Sequence, residues 1–321
     1  MNVRREIKPR RMFDTVGISK TFARSPDVDL LVRNGCQPFF SKYDGEPYKL
    51  ALNGEVGAKE PRLTISKSPK GFWIIKSEVS IGAWMFGSNI FLPDENDMKQ
   101  FFPMLSDFVR YKTGINFDAR RERVTRADPT RDFQIGESKV LSILKELGNV
   151  EIPKYNRKLI NNTGVYFENK GKTKNKKYSI YSKYHDLLDK KADETEIELA
   201  KGILRFGIEH KDNRAVTNLS KSLKLPNHNA NQVLTSKVSE KIISDAMNLF
   251  AFEALINRDD STLEKLAQTF DSSKPLTLAG HLLYKAKFGL DYGKLPFINL
   301  SEDTIKKYER ECAKTGILSL E

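Results

Sequence analysis

Tyr178-Ser-Ile-Tyr181-Ser-Lys183-Tyr184-His185-Asp186 sets three phenols and an amine in one short run. A tyrosine hydroxyl ordinarily ionises near about pH 10, so attack on phosphorus needs a base, a cation or a metal-polarised target. A strand through Lys177–Lys183 turns Tyr181, Lys183 and Lys177 to one side and Ile180, Ser182 and Tyr184 to the other. On that geometry Lys183 stabilises a phenolate, or the charge that develops on phosphate. Tyr178 and Tyr184 stay open as alternative nucleophiles. The plain reading is a strand tyrosine beside a solvated lysine.

Carboxylates flank this run in sequence. Asp128 and Asp132 lie in Arg123-Val-Thr-Arg126-Ala-Asp128-Pro129-Thr-Arg-Asp132-Phe, on one face of an unbulged strand. Glu209 follows in Leu204-Arg205-Phe-Gly207-Ile-Glu209-His210, and Glu78 precedes in Lys76-Ser-Glu78-Val-Ser. Two or three of these side chains suffice for Mg²⁺ or Mn²⁺, hard ions that keep water and take substrate phosphate as a further ligand. Arg126 and Arg205 are candidate DNA-binding residues that orient carboxylate or phosphate, and the alternative is surface charge paired with either of them. Four histidines occur, without a His-x-His pair, which excludes the sequence mark of the HUH nickases. His210 adjoins Glu209, but strand alternation points it to the opposite face.

Lys172, Lys174, Lys176 and Lys177 crowd the turn before the tyrosine strand, either as a solvated hairpin or as phosphate contacts. No Walker A or Gly-rich dinucleotide motif occurs, which argues against ATP-driven work. Across 321 residues, 54 Lys and Arg exceed 42 acidic residues, for a net charge of +12. That surplus favours a polyanionic partner, with nucleic acid foremost. Only Cys36 and Cys312 occur, so neither a disulfide framework nor a cysteine zinc site is expected, and a cytoplasmic setting is. The N-terminus reads as a basic arm over 1–11 rather than a signal peptide, and no apolar run is long enough for a membrane span.

Period-2 alternation predicts strands at Phe13–Ser19, Tyr48–Leu52, Arg62–Ser66 and Phe72–Ile81, the last two joined by a turn at Lys67–Gly71. A helix follows Asp94 as N-cap, with Met98, Phe101, Phe102, Leu105 and Phe108 on its apolar stripe. Further strands are expected at Arg120–Phe133, Thr163–Phe167, Lys177–Lys183 and Ile203–Glu209, with helices at Ser138–Leu147 and Asp186–Leu199. Pro129 demands an edge, an end or a bulge. This pattern gives an α+β domain over 12–212 with a largely antiparallel sheet, then a mainly helical region over 213–321. Within that region Leu276–Phe288 and Ser301–Thr315 read as helices of a helix-turn-helix, with Ser301 as N-cap and Lys306, Lys307 and Arg310 on one side for DNA. The alternative is a helical cap with solvated charges.

In order and spacing these segments resemble the gene II/gene X family of phage and plasmid replication proteins. Phe13-Asp-Thr-Val-Gly-Ile-Ser is similar to the family's opening strand, and Ser80-Ile-Gly-Ala-Trp-Met-Phe-Gly87-Ser-Asn-Ile to its serine-led strand. Arg126-Ala-Asp128 is similar to its Arg-x-Asp, Tyr181-Ser-Lys183 to its Tyr-x-Lys block, and Leu204–Lys211 to its Leu-Arg-Phe-Glu-x-Glu-x-Lys strand. Gly207 departs from this pattern where many relatives have glutamate, which leaves Glu209 as the better metal ligand. The resemblance implies rolling-circle initiation at a double-strand origin. Tyr181 keeps the 5′-phosphate, the free 3′-OH primes a host polymerase assisted by a host helicase, and the displaced single strand is later rejoined. A non-catalytic origin-binding regulator of the same fold is the rival expectation, and a conjugative relaxase a weaker one.

Overall fold

The computed structural model describes residues 11–42, 45–52, 59–171, 174–257 and 301–314. Where apolar side chains alternate with polar ones the chain extends. Trp73–Ser80 (β5) alternates buried and half-buried residues along its whole length. It pairs with Arg62–Lys67 (β4) through the expected hairpin, and with Arg11–Phe22 (β1) on its other side. Gln37–Phe40 (β2) and Pro47–Leu52 (β3) extend this half outward, after a short helix at Val28–Arg33 (α1). Neither β2 nor α1 was expected.

The other half is built on Arg123–Gln134 (β6), which pairs with both β1 and Ile203–His210 (β10). Lys176–Ser182 (β9) adjoins β10, followed by Gly164–Asn169 (β8) and Tyr155–Ile160 (β7). The described strands form one ten-stranded sheet in the order β2-β3-β4-β5-β1-β6-β10-β9-β8-β7, and neighbouring strands run antiparallel throughout. The fold is therefore α+β, as expected. Strand β10 is buried almost throughout, because it lies inside the sheet and both its faces are covered.

Pro129 sits in the interior strand β6, which is tolerated because the ladder is broken beside it. Phe13 pairs with Pro129 and Val16 with Ala127, so Asp14 and Thr15 together face Asp128 in a bulge. One row further, Gly17 lies between Glu78 and Arg126. A Cβ there would come within 2.9 Å of Arg126 Cβ, so only glycine leaves Arg126 room to cross β1 and reach Glu78.

Short helices close the strand ends. Ile81–Phe86 (α2) leaves β5 and stops at Gly87, whose φ of 74° suits glycine. Glu95–Thr113 (α3) starts in a full capping box between Asp94 and Asp97 and buries Met98, Phe101, Phe102 and Leu105, close to the expected stripe. Glu137–Leu147 (α4) matches its expectation. The single helix expected at Asp186–Leu199 is two, Lys183–Asp189 (α5) and Glu194–Leu199 (α6), because Lys191 adopts a φ of 52° and Asp193 caps a new start.

Asn213–Ser222 (α7), Ala230–Val233 (α8) and Ser236–Leu249 (α9) follow. The chain divides into two compact units, Met1–Ala246 and Met247–Glu321, so the sheet's unit runs past the expected boundary at 212. In the second unit Phe252–Asn257 (α10) and Glu302–Lys314 (α11) are described, whereas the expected helix Leu276–Phe288 lies outside the described residues. Among the described residues no helix is long and apolar enough to cross a membrane.

Candidate functional site

Three cross-strand rows make one polar face at the middle of the sheet. Asp132 pairs with Arg205, and Arg205 with Tyr181. Thr130 pairs with Gly207, and Gly207 with Ser179. Glu209 pairs with Lys177, and the flanking pairs Gly207–Thr130 and His210–Ala127 put Asp128 opposite Glu209. Residues directly opposite project to the same face, so Tyr181, Asp128 and Glu209 share it. All three line one cavity of about 190 Å³, together with Asp14, Arg126, Tyr166, Asp186, Lys190 and Arg205.

Arg205 is the anchor of this face. Its side chain is 2% exposed, and it makes a two-pronged ion pair with Asp132 at 2.7 and 2.8 Å. Its remaining donors reach the carbonyls of Asn89 and Ile90, at 2.7 and 3.0 Å, in the connection between α2 and α3. Asp132 is thus committed to Arg205 and does not line the cavity. Glu78 does not line it either: it accepts from Lys76 and Arg126. These two expected metal ligands instead hold arginines: Asp132 faces Arg205 on the neighbouring strand, and Arg126 reaches Glu78 across β1 over Gly17.

Asp128 is different. Arg126 donates twice to its Oδ2, at 2.9 and 2.7 Å, while the buried Oδ1 has no hydrogen-bond partner. Burial pushes the Asp128 carboxyl up to about 7; Arg126 opposes this, and the charges of Glu209 and Asp14 add to it. Asp14 was not anticipated as a site residue, and its Oδ1 is also buried without a hydrogen-bond partner. Glu209 is held by Lys177 and by Ser179 Oγ at 2.9 Å. Among the described residues no group of three or more His, Cys, Asp or Glu is placed to hold a metal ion. Asp14 Oδ1 and Asp128 Oδ1, each buried without a hydrogen bond, are the carboxylate oxygens left over for a hard cation, which would have to draw its other ligands from phosphate and water.

Tyr181 is half-buried at the end of β9. Burial holds its hydroxyl well above the usual tyrosine range; Arg205 acts against this, and Asp186, Asp14 and Asp132 reinforce it. Gly164 faces it on β8, where a Cβ would come within 3.2 Å of Tyr181 Cβ. Tyr178 points to the other face, against Tyr155 at a ring separation of 5.2 Å, and Tyr184 belongs to the apolar cluster of Ile90 and Leu187. Neither tyrosine lines the cavity.

Lys183 is not on the strand. Ser182 caps α5 by accepting from His185 N–H, so Lys183 opens a helix and turns inward. It is wholly buried, with Nζ bonded to Asn89 Oδ1 at 2.9 Å and Asp186 Oδ2 at 2.8 Å, and lies 5.9 Å from the Tyr181 ring centre. Burial, aided by Arg205, brings its amine down to about 8 against the pull of Asp186. It does not line the cavity.

The expected DNA contacts fall into separate groups, of which Arg126 and Arg205 line the cavity. Lys172 lies outside the described residues. Lys174 is exposed and pairs with Glu168, Lys176 stacks over Tyr178 on the far face, and Lys177 holds Glu209. Lys306, Lys307 and Arg310 are exposed on α11, where Ser301 Oγ accepts from Thr304 N–H as an N-cap does. His210 is buried opposite Glu209, its ring on the Ala127 carbonyl, as alternation requires.

No protein-family model matches the chain, and no curated protein matches it. A solved structure titled as a rolling circle replication initiator protein from Geobacillus stearothermophilus is 12% identical, covering 75% of this chain and 85% of that one, with a TM-score of 0.34. A likeness of this size decides nothing about the site, which stands on its own geometry.

Two outcomes follow for the buried ions. Arg205→Met strands Asp132 and lowers unfolding free energy in urea by about 3–5 kcal/mol, while pairing it with Asp132→Leu recovers most of that loss. For Lys183 the folded amine ionises at about 8 and the unfolded one at 10.5. Between those values the unfolded state binds more protons, so stability rises with pH through this window. Lys183→Met abolishes that rise, seen as a wild-type minus mutant stability difference that grows from pH 8 to 10.5.

Proposed function

We propose that this chain is a metal-dependent, tyrosine-nucleophile DNA nicking and closing enzyme that initiates rolling-circle replication. The observation that carries the reading is the shared cavity of Tyr181, Asp128 and Glu209, three residues from three strands. A DNA strand laid over this face brings a phosphodiester to the Tyr181 oxygen. That oxygen bonds to phosphorus as the bond to the 3′ oxygen breaks, and the phenolic proton passes through the cavity's carboxylates to the leaving oxygen. The product is a 5′-phosphotyrosine and a free 3′-OH.

Asp128 and Glu209, with Asp14, would hold Mg²⁺ or Mn²⁺, which when bound draws charge from a phosphate oxygen. Arg126 keeps Asp128 aimed into the cavity by occupying only its Oδ2. Arg205 lies beside Tyr181 and favours its phenolate. Lys183 acts from behind: it fixes Asp186 and the tyrosine ring rather than meeting phosphate. The phosphotyrosine bond conserves the energy of the cleaved linkage, so rejoining the displaced strand needs no ATP. The partners on this reading are double-stranded origin DNA and its displaced strand, a host polymerase extending the 3′-OH and a host helicase, in a bacterial cytoplasm. The exposed cations of α11 suit contact with duplex DNA.

One feature favours a second reading, a non-catalytic origin-binding regulator. Gly207 leaves the floor of the cavity without a side chain, between Thr130 and Ser179, so the carboxylate set is one smaller than in the family the sequence resembles. The two readings separate on a supercoiled plasmid bearing the replicon that encodes this chain, incubated with Mg²⁺ or Mn²⁺. The enzyme reading expects nicked circles from the wild type, a loss of about 10⁴-fold or more in Tyr181→Phe, and suppression by chelator. Binding without metal-stimulated nicking by the wild type establishes the regulator instead.

A further inference from the structure

The cavity's cations differ in what they are free to do. Three described cationic side chains line it: Arg126, Arg205 and Lys190. Arg205 spends four of its five donors on Asp132 and on the carbonyls of Asn89 and Ile90, sets Nη1 4.0 Å from Asp14 Oδ1, and is closed off from solvent. Arg126 is held between Asp128 and Glu78, on which the shape of the acidic set depends. Lys183, the lysine whose sequence position suggests phosphate contact, is wholly buried behind the wall.

Lys190 stands at the C-terminal end of α5, and its side chain is 57% exposed. Among the described residues its Nζ has one partner, Asp186 Oδ1 at 2.7 Å. An ammonium carries three donors, so two remain for a ligand. Asp186 does not depend on Lys190, because its other oxygen is held by the buried Lys183 at 2.8 Å. An exposed lysine–carboxylate pair contributes little to stability, whereas the same ammonium on a phosphate makes a charge-assisted hydrogen bond.

From this we infer that Lys190 is the residue that grips the scissile phosphate. Asp186 parks its ammonium at the rim of the cavity until a DNA strand arrives. Binding then exchanges a carboxylate oxygen for a phosphate oxygen, with no rearrangement of the buried ions. Lys183 and Lys190, the neighbours of Asp186 three residues before and four after it, divide the work: the first fixes the carboxylate and the second leaves it for substrate. This inference rests on the nicking reading above.

The test uses the full chain and single-stranded oligonucleotides tiled across the encoding replicon, with Mn²⁺ present. Wild type and Tyr181→Phe are assayed first: if the wild type leaves every oligonucleotide intact, or the two cleave alike, the nicking reading fails and this inference with it. Where only Tyr181→Phe is inactive, Lys190→Gln is compared with Lys190→Arg. The expected result is a KM for the cleaved oligonucleotide raised about 10-fold in Lys190→Gln, a slope of log KM against log salt reduced by about 0.7, and recovery of most of the loss in Lys190→Arg. The thermal midpoint of Lys190→Gln stays at the wild-type value, because the lysine is exposed and Lys183 still holds Asp186. A Lys190→Gln protein with wild-type KM and salt slope overturns the inference while leaving the nicking reading in place.

Discussion

A guanidinium closed off from water must find a partner for its charge and its donors inside the protein, and Arg205 meets that demand in three directions. It takes a carboxylate from β6, carbonyls from the connection after α2, and lies beside Tyr181 on β9. The ion pair with Asp132 is less a source of net stability than a constraint: few arrangements of these elements leave no charge stranded. Asn89 closes the circuit, since its carbonyl serves Arg205 and its side chain serves Lys183. Sheet, connection and helix α5 are thereby tied to the wall of one cavity.

The acidic side of the cavity follows from a backbone irregularity. Two residues of β1 oppose one of β6 at the point where Pro129 interrupts the ladder, and this brings Asp14 beside Asp128. Gly17, one row on, lets Arg126 pass between strands to Glu78. Positive charge is thus spent on Oδ2 of Asp128, while Oδ1 of Asp128 and Oδ1 of Asp14 are buried without a hydrogen bond, the latter 4.0 Å from Arg205 Nη1. Burial is the main reason the Asp128 carboxyl is raised, and the charges of Glu209 and Asp14 add to it, so a proton or a hard cation would be stabilised there.

Much of this was legible in the chain. Alternation located the interior strands, Asp94 announced α3, and parity separated Glu209 from His210. Spacing also put Asp128 and Asp132 on one face. It could not assign their tasks, because that depends on which strands become neighbours: β10 beside β6 gives Asp132 to Arg205. Lys183 was misplaced for a local reason. Ser182 is as good an N-cap as a strand residue, and one residue of helix turned the lysine from the cavity into the wall. Asp14 went unremarked, although an acid within an otherwise apolar opening strand was the available signal. Asp186 and Lys190 carry no motif and become visible only once α5 packs against the end of β9.

The central claim is that Tyr181 takes the phosphate, in preference to Tyr166, which lines the same cavity, and to Tyr178 and Tyr184, which do not. Its most direct test is to incubate the full chain with the encoding replicon and Mn²⁺, digest with nuclease and protease, and map any nucleotide-bearing peptide by tandem mass spectrometry. The account predicts a nucleotide mass on Tyr181. A nucleotide on Tyr166, Tyr178 or Tyr184, or a nicked product with no protein-linked nucleotide at all, contradicts it.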